Sequence, residues 1–88
     1  MGKLARKRDV KWRQVGDEVV IYNKLSQNVH ILNQTAMDIF MLCNGNNEIE
    51  TITDALQTRY DVPREELSAD IIEIIDTFEK LQLLEKNE

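Results

Sequence analysis

Short runs of β-branched and aromatic residues give way, after residue 33, to apolar residues at helical spacing. Two strand candidates, residues 10–14 and 18–23, are separated by Val15-Gly16-Asp17, where Gly16-Asp17 suits a two-residue type II′ turn with glycine at positive φ. Val19, Val20, Ile21 and Tyr22 favour a pleated, half-buried surface. After a polar loop over residues 24–27, residues 28–32 form a third strand. Short loops between short strands predict an antiparallel meander in chain order, with the first and third strands as its edges.

The helical half starts at once. Asn33 is placed as an N-cap, its side-chain oxygen accepting from a backbone N–H two or three residues on. Ala36, Ile39, Phe40 and Cys43 then follow the spacing of an amphipathic helix over residues 35–42. Asn44-Gly45-Asn46 should stop it, with Gly45 free to take the left-handed C-terminal cap. Asn47 and Glu50 offer a capping box for a second helix with Ile49, Ile52, Leu56 and Tyr60 on its apolar face. A third helix is predicted over about residues 63–81, opened by Pro63 and by Glu65 and Glu66 at its positive end. At ~100° per residue, Leu67, Ile71, Ile74, Phe78 and Leu81 fall within ~40° of one line and form its core stripe. Ile75 and Ile72 lie at roughly 80° and 140°, a shoulder that either widens the core or lines a groove. If it lines a groove, Ile75→Glu should weaken binding of a guest more than tenfold while leaving the fold mostly intact.

The third strand raises a question of its own. Proteins blunt exposed edges with lysine, proline or a bulge, and Val29-His30-Ile31-Leu32 carries none of these. Either the fold covers this edge or a partner strand adds to it, with main-chain hydrogen bonds giving affinity and pockets for alternate side chains giving specificity. Leu32 reads as core and His30, on the same side, as buried and hydrogen-bonded, while Val29 and Ile31 point the other way.

Bulk properties narrow the function. Eighty-eight residues make one small domain that buries only ~60–65% of its unfolded surface, which disfavours a deep enzymatic cavity. No apolar run reaches the ~18–20 residues of a membrane span, and no signal-peptide core follows the N-terminus, so a cytoplasmic location is expected. A single cysteine excludes an internal disulfide, and Cys43 at the end of an apolar stripe reads as a buried, unreactive thiol. One cysteine and one histidine do not make a zinc site. There is no glycine-rich phosphate loop or Gly-x-Ser-x-Gly elbow, and His30 is the one near-neutral base. The chain reads as a binder with no catalytic residues, no metal and no cofactor.

Charge is uneven: residues 1–13 carry a net +5 and the rest −10. Residues 1–9 are read as a basic, flexible N-terminal arm ahead of a domain over residues 10–85.

Together, Leu32-Asn33-x-Thr35-Ala36-x-x-Ile39, Gly45, Ile49-x-x-Ile52-x-x-Ala55-Leu56, Tyr60, Asp70-Ile71, Phe78, Leu81 and Leu84 resemble the PqqD family. These are peptide-chaperone domains also called RiPP recognition elements, and the resemblance covers about residues 10–85. Gln34 stands where the family often has proline, Phe40 where tryptophan is common, and Asn44-Gly45 in place of Asp-Gly. Each is a conservative swap. The resemblance implies an α+β fold like a winged helix-turn-helix, with a three-stranded antiparallel sheet followed by three helices. It implies a function too: binding the leader segment of a ribosomally made precursor peptide and presenting it to a modifying enzyme. In the family the leader adds to the third strand beside the third helix. Carried over, the peptide-binding residues are Val29, His30, Ile31 and Leu32 on the edge, and Asp70, Ile71, Ile72, Ile75 and Phe78 on the helix. Family analogy puts a radical SAM enzyme first as the partner, with a leader peptidase or a cyclodehydratase also open. The acidic helices should favour leaders bearing lysine or arginine.

Two other readings compete. A winged-helix DNA-binding regulator would want a basic recognition helix, but residues 48–88 carry 12 acidic and 4 basic side chains. A homodimer pairing two third strands edge to edge could coexist with leader binding or block it.

Overall fold

A computed structural model describes residues 3–7, 10–24 and 27–87, with the backbone alone at 86 and 87. The chain runs β1 (Lys3–Arg6), β2 (Val10–Val15), β3 (Glu18–Asn23), β4 (Asn28–Leu32), α1 (Gln34–Leu42), β5 (Asn44–Asn47), α2 (Ile49–Gln57), α3 (Arg64–Lys80) and β6 (Leu84–Asn87). The strands form two antiparallel sheets, ordered β2-β3-β4 and β5-β1-β6. The α+β class, the meander and the three helices are as the pattern predicts, and the second sheet is an addition to it.

The β2–β3 turn holds two residues, with Val15 opposite Glu18 and Gly16 at φ 62°. Facing residues share a side of the sheet, so Val19, Ile21 and Asn23 point inward with Leu32, His30 and Asn28. Val20 and Tyr22 point outward with Ile31 and Val29. Asn33 caps α1 as expected, its side chain accepting from the Ala36 N–H at 3.0 Å. On the inner face, the sheet and three helices bury Val19, Ile21, Leu32, Ile39, Phe40, Ile52, Leu56, Leu67, Ile71, Ile75 and Phe78. Tyr60 donates to Asp38 Oδ2 at 2.6 Å and Gln34 to Asp38 Oδ1 at 3.2 Å, which ties the end of α2 to α1. Hydrogen bonding to Asp38 raises the Tyr60 phenol above its ordinary range.

Three expectations need correction. Lys3–Arg6 is not a free arm: β1 is the middle strand of the second sheet, and Leu4 is buried. Arg6 donates to the carbonyls of Phe40 and Met41, both at 3.0 Å, which supplies partners that a helix C-terminus lacks. Residues 1, 2, 8 and 9 of the expected arm lie outside the described residues. Secondly, Asn47 does not cap α2; the N-cap is Glu48, without a side-chain hydrogen bond. Asn47 pairs with Leu4 in β5, and its amide donates to the Leu42 carbonyl at 2.9 Å. Thirdly, Asn44-Gly45-Asn46 is more than a helix stop, because pairing with β1 draws it into a strand.

The end of α3 is closed by a Schellman motif. Leu83 N–H donates to Phe78 O at 2.9 Å and Gln82 N–H to Glu79 O at 3.0 Å, with Gln82 at φ 61°. A side chain is disfavoured in that left-handed conformation and glycine is not. Gln82→Gly should therefore stabilise the domain by about 0.5–1 kcal/mol, read as a shift in the denaturant midpoint at unchanged slope.

Cys43 is fully buried, donates to the Ile39 carbonyl at 3.2 Å, and has its pKa pushed from 9.0 to about 12 by burial. The unfolded thiol ionises near its ordinary value while the folded one holds its proton. The thiol's contribution is therefore complete below about pH 9 and should be lost as pH rises toward 12. Below that window, a thiol reagent should label Cys43 only at the rate of unfolding, as stopped-flow absorbance would show.

Candidate peptide-binding groove

β4 pairs with β3 on one side and has no described strand on the other. Its free edge borders a groove of about 560 Å³. One wall is Val29, His30, Ile31 and Leu32. The opposite wall is Glu73, Ile74, Thr77, Phe78 and Leu81 of α3 and the turn after it, with Ala36 of α1 between. The lining is mostly apolar, with its polar groups on β4 and on the outer margin of α3.

The groove's position follows from how its walls are held. Asn23, buried in β3, donates from Nδ2 to the carbonyls of Leu81 at 3.4 Å and Gln82 at 3.1 Å. That clamps the end of α3 one strand away from the free edge. Phe78 is fixed from behind by Phe40, edge to face at 5.8 Å, and Phe40 by Trp12 at 6.2 Å. The Arg6 guanidinium lies over both rings of that second pair, 5.5 Å from Trp12 and 5.6 Å from Phe40.

The other edge of this sheet, β2, carries Lys11 and Arg13, both exposed. Such charges discourage strand addition. β4 holds no aspartate, glutamate, lysine or arginine, and Val29 and Ile31 are 60% and 63% exposed. His30 sits half-buried with Nε2 sealed from solvent and no hydrogen-bond partner. The expected hydrogen-bonded histidine is thus not found. An unpaired buried nitrogen of this kind costs about 1–3 kcal/mol.

Of the residues expected to bind peptide, the structure brings Val29, His30, Ile31, Leu32 and Phe78 together. It leaves Asp70, Ile71, Ile72 and Ile75 outside the lining. Ile71 and Ile75 are core, at 0% and 2% exposure, so the wider-core reading of the shoulder holds for Ile75. Ile72 is half-exposed and Asp70 exposed, with no ion pair for Asp70 among the described residues. Ala36, Glu73, Ile74, Thr77 and Leu81 were not anticipated as lining. Their signal lies in the helical wheel: Thr77 and Glu73 fall at about −80° and −120°, opposite the Ile75 shoulder. A helix packed on another helix buries apolar residues there, whereas the side bordering an open groove keeps polar ones.

The exposed residues of α3 include Glu65, Glu66, Asp70, Glu73, Asp76 and Glu79. A helix so acidic does not suit a DNA major groove. Among the described residues, no helix is long and apolar enough to cross a membrane.

Comparison with known proteins gives one family match and matches of the fold. The family model for PqqD, coenzyme PQQ synthesis protein D, matches residues 18–84. Among solved structures, TbiB1 in complex with the TbiA(beta) leader peptide superposes with a TM-score of 0.86 at 23% identity, covering 92% of this chain and 94% of that one. Lasso peptide synthetase B1 complexed with the leader peptide gives 0.84 at 17% identity, covering 94% and 98%. The heterocyclase TruD gives 0.70 at 20% identity, covering 98% of this chain and 12% of that much longer one. No curated protein sequence matches.

Proposed function

The chain belongs to the PqqD family, and from that premise we propose that it binds the leader segment of a ribosomally made precursor peptide and holds it for a modifying enzyme. The observation that carries this is the unblunted β4 edge beside an apolar groove walled by α3. A guest strand on that edge gains main-chain hydrogen bonds, and every second side chain enters the groove toward Leu32, Ile74 and Phe78. Two of the structural neighbours are leader-peptide complexes, which supports the same use of this fold. The protein acts as a carrier, and the chemistry belongs to its partner.

The charge of the wall refines the guest. Glu73 lines the groove and has no ion-pair partner among the described residues. A leader placing lysine or arginine opposite it should bind roughly 3–10 times more tightly than its charge-reversed counterpart, a gap that narrows at high salt. The enzyme served is a matter of class. Neighbours from lasso-peptide synthesis and heterocyclisation favour those chemistries at least as much as a radical SAM enzyme.

Titrating the protein into a labelled leader, followed by fluorescence anisotropy, tests the reading. Saturable binding of the true leader and not of a scrambled one is expected. A folded protein that binds neither, alone or with the candidate enzymes, would overturn it. Sedimentation with and without leader checks whether β4 edges pair in a homodimer that competes with the guest.

A further inference from the structure

An antiparallel sheet with helices on one face normally turns polar side chains outward on the other. The β2-β3-β4 sheet does not. Its register sets Lys11, Tyr22 and Val29 in one outward row and Arg13, Val20 and Ile31 in the next. Val15 faces Glu18 in the last. Tyr22 and Val15 are 40% and 54% exposed, and Val29 and Ile31 more so. A shallow depression of about 300 Å³ lies between Lys11, Arg13, Val15, Val20 and Tyr22, with Trp12 at its margin. A contiguous apolar patch left in water marks an interaction surface.

Its charge identifies the kind of partner. On a chain of net −5, this face carries Lys11 and Arg13 against Glu18 at the turn end. Its occupant is therefore a protein surface that is apolar at the centre and acidic around it. The face is also continuous with the groove. Val29 and Ile31 line the groove and end the two outward rows, so a guest strand on β4 would extend the same sheet.

We propose that this outer face docks the protein onto the enzyme that modifies the guest. The inference rests on the leader-binding reading. One sheet would then present the peptide at its edge and grip the enzyme with its outer face, holding the guest beside the enzyme.

The test uses the full chain carrying Lys11→Glu and Arg13→Glu, and separately Tyr22→Ser, with the precursor peptide and modifying enzyme encoded beside it. Leader affinity should stay within twofold of the wild type, because none of these residues lines the groove. The carrier concentration giving half-maximal modification should rise at least tenfold, with the maximal rate retained. Added salt should raise the half-maximal concentration of the wild type more than that of the charge-reversed variant. Normal leader binding with an unchanged half-maximal concentration in both folded variants would overturn the proposal. It would also fall if the substitutions abolished self-association in sedimentation and left modification untouched, since the face would then belong to a second copy. Loss of leader binding in the wild type is a separate result, and it would remove the leader reading itself.

Discussion

Ile74→Glu should give a folded protein that no longer holds its leader. Ile74 lies in the groove wall, half-buried and facing the space a guest side chain would fill. In the free protein the new carboxylate can reach water across the open groove, so folding should cost only about 1 kcal/mol. In the complex it would be covered by the guest and left without a partner, a penalty of about 2–4 kcal/mol. That corresponds to roughly a 30- to 1,000-fold rise in Kd. Anisotropy on the variant, with circular dichroism as the folding control, measures both halves. Binding within threefold of the wild type would remove Ile74 from the site.

Its neighbour should behave in the opposite way. Ile75→Glu is expected to unfold the domain, because the side chain is 2% exposed and belongs to the common core. Losing a fully buried isoleucine costs about 2–5 kcal/mol, and burying an unpaired carboxylate adds to that. A domain of this size has only about 4–13 kcal/mol in total. Urea titration should show the folded baseline shortened or lost, and Ile75→Ala should lower stability by several kcal/mol while leaving leader affinity intact once the protein is folded. Two consecutive isoleucines thus separate binding from folding, a contrast that nonspecific damage would not produce.

The pattern of the chain revealed the three-stranded meander, the Asn33 cap and the extent of α3, because each rests on local chemistry. It also pointed to β4 as the unprotected edge, since the absence of lysine and proline there is visible without coordinates. The second sheet was hidden. β5 is Asn44-Gly45-Asn46-Asn47, a composition that reads as a turn, and pairing with a strand some forty residues earlier overrides it. β1 looked like a basic tail because four residues are too few to show a period. The margin of α3 that faces the groove is not legible in the sequence, for a geometric reason. Periodicity finds the apolar arc of a helix but does not say which margin of that arc meets another helix and which meets open space. Ile72 and Ile75 form the conspicuous shoulder of the stripe, whereas the groove is lined by the mixed margin of Glu73, Ile74 and Thr77.

The pairing of β1 with β6 sets Lys3 opposite Asn87, so the two ends of the described chain run side by side. Among the described side chains, neither strand lends one to the groove. Joining neighbouring ends with a few residues costs little closure entropy, so the order in which the chain visits its elements is interchangeable. A permuted version opened at the β2–β3 turn, or a copy spliced into an exposed loop of a host enzyme, should fold around the same core and keep its groove. Such a rearrangement would leave untouched the surface that reads the peptide.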